Sequence, residues 1–195
     1  RHGKSQLVSI FFPAWFIGKY PNKKVMMVSH TTDLAVDFGR KVRNLIDTPA
    51  YRAIFPTVSL AADSKSAGRW NTNVGGEYYA CGIGSALAGR GADLLLVDDP
   101  HSEQDVINGN FEVFEKAYEW FTYGARTRLM PGGRVAIIQT RWHMDDLTGR
   151  VTRDMGMHDL ADQYEVVEFP AILELPKPDG GVQEKALWPE FFTLD

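Results

Sequence analysis

The chain is poor in cysteine: Cys81 is the single one in 195 residues. No internal disulfide can form, and a reducing compartment fits that usage. A basic excess is also lacking, since 21 Lys and Arg face 25 Asp and Glu and the formal charge is −4. That balance excludes a broadly basic nucleic-acid coat and confines any DNA contact to a few loops. Long apolar runs are missing too. The stretch "LVSIFFPAWFIG" at residues 7–18 is too short for a membrane span and carries Pro13. No signal peptide, internal repeat or low-complexity tract is visible. His30, His101 and His143 do not have zinc-site spacing, and one cysteine gives little support to a structural zinc site.

What is present is an ordinary globular composition, 44% apolar and rich in aromatics, with enough residues for one substantial core. The order of segments predicts an α/β fold. A helix is expected from Lys4 or Ser5 to about Lys19, bent at Pro13. "KVMMVSH" at residues 24–30 reads as a buried strand, followed by a helix capped by Thr31 or Thr32 with Leu34, Phe38, Val42 and Leu45 on one face. Residues 48–68 read as irregular, and residues 69–83 as a hairpin around Asn73-Val74-Gly75-Gly76. "LLLVDD" at 94–99 and "RVAIIQT" at 134–140 are apolar strands, with a helix over about 109–126 between them. Asp145 or Asp146 should cap a short helix to about Thr152, and "YEVVEF" at 164–169 reads as a last strand. Residues 170–195 read as a linker. Buried strands alternating with helices imply a mainly parallel sheet.

Three stretches carry chemistry. "LLLVDD" delivers two adjacent carboxylates to the C-terminal end of a buried strand, where α/β sheets bind ligands. Two acids side by side repel unless a cation sits between them. Asp98 suits Mg²⁺, and Asp99 suits an attacking water; the plain alternative is a strand end with two capping acids before Pro100. The second stretch is "RHGKS", whose Gly3-Lys4-Ser5 matches the last three positions of a phosphate-binding loop. There Lys4 would reach the β- and γ-phosphates, and Ser5 would hold Mg²⁺. The tripeptide is weak alone, but it opens a helix and precedes the strand with two acids. Together they read as the Walker A and Walker B elements of a P-loop NTPase of the additional-strand type. The third is "IIQTRWH" at 137–143, where Gln139 and Thr140 end a strand that would face the γ-phosphate. His143 and Trp142 read more simply as capping and packing residues. Arg90, flanked by glycines in "AGRGAD", is a candidate arginine finger, with Arg1 as a rival and Arg126, Arg128 and Arg141 as weaker ones.

These blocks occur in a familiar order: "RHGKS", "FPAWFIGKYP", "FGRKVRNLI", "GRGADLLLVDDPH", "EWF", "TRLMPGGRVAIIQTRWHMDDLTGR", "PAI" and "ALWPEFF". The chain resembles the ATPase half of the terminase large subunit of tailed bacteriophages and prophages. The resemblance covers nearly the whole chain, and "GRGADLLLVDDP" and "TRWHMDDLTGR" are its specific parts. It implies a motor that hydrolyses ATP with Mg²⁺ to drive double-stranded DNA into procapsids. The partners it implies are the portal protein, the small terminase subunit and further copies in a homo-oligomeric ring. The place would be the cytoplasm of the infected bacterial host. Position by position, Gly3, Lys4 and Ser5, with Arg1 and His2 before them, match the end of the nucleotide loop. Asp98 and Asp99 match Walker B, and Gln139, Thr140 and Arg141 match the coupling motif. Arg90 lies near an arginine thought to act on the neighbouring subunit's ATP. Many relatives carry Glu where this chain has Asp99. Residues 1–169 would then be the ATPase domain, with a sheet lacking its first strand, and residues 170–195 would lead toward a nuclease domain. A chain that starts inside its own nucleotide loop is expected to bind ATP poorly. The rival readings are a helicase-like P-loop DNA translocase and a degenerate, non-catalytic nucleotide-binding module.

Overall fold

A computed structural model describes residues 3–64, 66–157, 161–178 and 180–194. Its centre is a five-stranded sheet in the order β2-β3-β1-β4-β5, formed by Arg69–Asn71, Glu77–Gly82, Lys24–Ser29, Ala92–Asp98 and Leu129–Ile138 respectively. All pairings are parallel except β2 with β3, the expected hairpin. Parallel central strands need cover on both faces. Residues of alternating parity meet that need, because successive side chains point to opposite sides of the sheet. Val25, Met27, Leu94 and Leu96 pack on one side with Ile10, Ala14, Phe38, Val42 and Tyr51. Met26, Val28, Leu95 and Val97 pack on the other with Phe121, Ala125, Leu147 and Val151. The result is the three-layer α/β architecture expected of a P-loop NTPase.

The first face is covered by α1 (Phe12–Lys19), α2 (Thr32–Ile46) and α3 (Pro49–Ile54). Thr31 caps α2, accepting from Leu34 N, and the buried stripe runs Ala35, Phe38, Gly39, Val42 and Ile46. Thr48 caps α3 with Pro49 in its first turn, so part of the segment expected to be irregular is helical. The other face carries α5 (Glu112–Glu119), the turns that follow it and α6 (Leu147–Met157), while the short α4 (Glu103–Ile107) buries none of its residues. The single helix expected over 109–126 starts at Glu112 and continues as a π-helical turn and a 3₁₀ turn to Arg128, while α4 had not been anticipated. Gly109, at φ +63°, separates α4 from α5, a conformation that only glycine adopts without strain.

β5 lies at the sheet edge beside β4, which tolerates Pro131 within it. It begins at Leu129 and ends at Ile138, so Gln139 and Thr140 stand just beyond the strand rather than in it. One expectation near the C-terminus is corrected. Residues 164–169 form no strand, because their apolar side chains, Val166, Val167 and Phe169, are exposed and meet no sheet edge. The segment 170–195 contains an antiparallel hairpin, β6 (Ile172–Pro176) with β7 (Val182–Ala186). Gly180, at φ +84°, allows the turn that joins them.

Candidate functional site

The C-terminal ends of β1, β4 and β5 lie side by side, with Val28 opposite Val97 and Asp98 opposite Ile138. The N-terminus of the first helical segment arrives at the same edge. Gly3, at φ +77°, turns the chain into it, and nothing crowds the position a Cβ would take. Ser5 Oγ then donates to Asp98 Oδ1 at 3.1 Å, and Lys4 Nζ donates to the carbonyl of Gln139 at 3.2 Å. The two sequence signals ninety-odd residues apart therefore meet.

Asp98 is 1% exposed. Burial raises its pKa above the usual carboxylate value, and the neighbouring Asp99 adds to that. The hydroxyls of Ser9 and Ser5 and the charge of Lys4 pull the other way without cancelling it. Asp99 is the one described non-glycine residue with positive φ, at +44°. Aspartate tolerates that conformation better than most residues, and such strain persists only where neighbours fix it. Here its N–H donates to Ile138 O at 2.8 Å, and its carbonyl accepts from His30 N at 3.2 Å with His30 Nδ1 at 3.1 Å. Its Oδ1 accepts from Thr140 N at 3.2 Å. Asp99 thus ties the ends of three strands together.

The residues present fit a Mg²⁺–nucleotide. Hydroxyl and carboxylate oxygens are the hard donors that Mg²⁺ takes. A buried carboxylate beside a second acid, held only by hydroxyls, is a place where a cation is favoured. The side-chain amide of Gln139 is buried with neither its nitrogen nor its oxygen paired among the described residues. A phosphate beside Lys4 and the helix N-terminus suits the same place.

Behind the site, the loop after β5 is locked to α6. Asp146 is wholly buried and caps that helix through Gly149 N at 2.9 Å. Its other oxygen accepts from Arg141 Nε at 2.9 Å, Trp142 N at 3.1 Å and His143 N at 3.3 Å. Burial alone would raise the Asp146 pKa; these four donors outweigh it and hold the group ionised below its usual value. His101, two residues after Asp99, is also buried, and its Nε2 accepts the Leu147 N–H at 3.0 Å. Burial is the main cause that lowers its pKa to about 4. The His143 ring stacks on Phe114 with centroids 5.3 Å apart and leans on Phe111, while its Nδ1 accepts from Asp145 N. His143 therefore packs on Phe114 and Phe111, while the cap of α6 is Asp146 rather than His143.

Arg90 stands elsewhere. It precedes β4, whereas the acids follow it, and a strand of that length spans about 20 Å. Its guanidinium lies 3.6 Å over the Tyr79 ring and 3.5 Å from Glu77. Arg126 pairs with Asp162, and Arg141 is bound to Asp146. Arg1 and His2 lie outside the described residues. Sequence reasoning missed Ser9, which donates to Asp98 Oδ2 at 2.6 Å, and the structural parts of His30 and His101. Four-residue spacing after Ser5 was the available signal for Ser9.

Comparison with known families gives one description, terminase large subunit, T4likevirus-type, N-terminal, which matches residues 1–194. No curated protein matches the chain.

Proposed function

The chain belongs to the family of T4likevirus-type terminase large subunit N-terminal regions, and from that premise we propose that it is the ATP-hydrolysing motor of a viral DNA-packaging machine acting on double-stranded DNA. The observation that carries this reading is the meeting of Lys4 and Ser5 with Asp98 and Asp99 at one end of the sheet. Ser5 and Asp98 would hold Mg²⁺, which when bound neutralises charge on the β- and γ-phosphate oxygens. Gly3 leaves room for a phosphate to approach the backbone. Lys4, now resting on the Gln139 carbonyl, would turn to the phosphates. Asp99 has one oxygen engaged by Thr140 N, and its other oxygen would orient the attacking water and take up its proton.

The same bond supports a coupling part for Thr140. Departure of the γ-phosphate alters what Asp99 holds, and Thr140 is the first residue to feel it. From there Arg141 and Asp146 connect rigidly to α6. Arg90 is too far from these acids within one chain, so an arginine-finger part for it requires a neighbouring copy in a ring. The portal protein, the small subunit and the cytoplasm of an infected bacterium follow from the same proposal. No helix among the described residues is long and apolar enough to cross a membrane.

The test is ATP turnover and DNA translocation by the full-length protein carrying Lys4→Ala. Turnover should be lost and translocation with it. Wild-type turnover in that variant would sink the part given to Lys4, and no turnover in the unsubstituted protein would leave a degenerate nucleotide site as the better account.

A further inference from the structure

Ser9 is fully buried, and the proposed hydrolysis does not use it. Its hydroxyl donates to Asp98 Oδ2 at 2.6 Å, while Ser5 donates to Oδ1 at 3.1 Å. Both oxygens of one carboxylate are therefore gripped by two serines four residues apart. A serine inside a helix commonly turns its hydroxyl back to a carbonyl of the preceding turn. Ser9 instead reaches the end of β4.

The local backbone explains how both serines face one target. In a regular α-helix, positions four apart are offset by about 40° around the axis. Here Gln6–Phe11 is π-helical, with the Phe12 N–H bonded to Leu7 O five residues back. That wider turn brings positions four apart more nearly into line. The π segment lies directly before Pro13, whose ring has no N–H to offer the Ser9 carbonyl in an α register. Ser5, Ser9 and Pro13, spaced by four, thus encode the arrangement.

We propose that Ser9 is a positioning residue for the metal-holding carboxylate: it fixes Asp98 Oδ2 so that Oδ1, the oxygen shared with Ser5, is presented to a divalent cation. This rests on the nucleotide reading above. Outer contacts that orient a metal-ligating carboxylate are worth roughly 10- to 100-fold in metal affinity. The Ser9 hydroxyl bonds to Asp98 and not to Lys4 or Gly3, so its removal is expected to leave nucleotide binding in the absence of metal unchanged.

The experiment is binding of a fluorescent ATP analogue to the full-length protein, first in EDTA and then along a MgCl₂ titration. Ser9→Ala removes the donor; Ser9→Cys nearly keeps the shape with a weak donor; Ser9→Thr keeps the hydroxyl. Circular dichroism checks that each variant is folded, and the Cys and Thr variants keep the test decisive if Ala does not fold. The half-saturating Mg²⁺ concentration should rise about 10-fold or more in Ala and Cys. It should stay near the wild-type value in Thr, with affinity in EDTA unchanged in all three. An unchanged Mg²⁺ requirement in the Ala or Cys variant overturns the proposal. So does a loss of affinity in EDTA by the same factor, which marks Ser9 as merely structural. If the unsubstituted protein binds no analogue with or without Mg²⁺, the nucleotide reading fails and Ser9's part falls with it, whereas binding without any Mg²⁺ dependence overturns the metal-positioning proposal alone.

Discussion

Acidification from pH 7 to pH 5 should cost this fold about 2 kcal/mol through His101 alone, and His101→Gln should remove that cost. The imidazole titrates at 6.5 when unfolded and at about 4 when folded. Burial is the chief cause, with His30 adding to it, while Asp146 and Asp105 oppose it without prevailing. Between those two values the unfolded chain binds the extra proton and the folded chain does not. Stability is therefore whole above about pH 6.5 and is lost as the pH falls toward 4, by about 3 kcal/mol in all at one pKa unit per 1.36 kcal/mol. Glutamine keeps an acceptor for the Leu147 N–H and cannot titrate. Asp98, whose pKa is raised by burial, acts in the opposite sense, since its protonation at low pH favours the folded state. It is common to both proteins and cancels in the comparison. Urea unfolding of wild type and variant at pH 7 and pH 5 supplies the four free energies. Parallel losses in the two proteins would refute a buried, neutral His101.

Two further perturbations probe the link behind the site. A methyl group at Gly149 would lie 2.1 Å from Met144 O and 2.7 Å from Arg141 Nη2, and backbone cannot yield cheaply. Gly149→Ala should destabilise the protein by about 2 kcal/mol or more, read as a lowered thermal midpoint. Asp146→Asn replaces an acceptor of four donors with a group that offers only one oxygen and leaves Arg141 without its buried partner. A loss of about 3 kcal/mol in urea unfolding is expected; a loss below 1 kcal/mol would mean the network matters little.

The parts of the site that the sequence made legible are those set by strand ends. An apolar run that ends in Asp98 and Asp99 had to place them at the C-terminal end of the sheet, and parallel pairing brought Gln139 and Thr140 to the same end. Strand direction also settles Arg90. It comes before the strand that the acids follow, so it had to lie at the far end. Ser9 stood four residues after Ser5, on the same face by helical spacing, but its target at the end of β4 is 89 residues away and no local pattern points to it. His101 was hidden because its partner, the Leu147 N–H, is a backbone group 46 residues away. Local patterns mislead where tertiary context decides: 164–169 has strand composition but no edge to join.

In the proposed reaction Asp99 activates water at a nucleotide site built with Lys4, Ser5 and Asp98. Single-turnover hydrolysis of Mg-ATP by full-length Asp99→Asn, with nucleotide binding measured in the same samples, tests it most directly. Retained binding and a hydrolysis rate reduced by about 100-fold or more are expected. Hydrolysis at the wild-type rate, with binding intact, would contradict it.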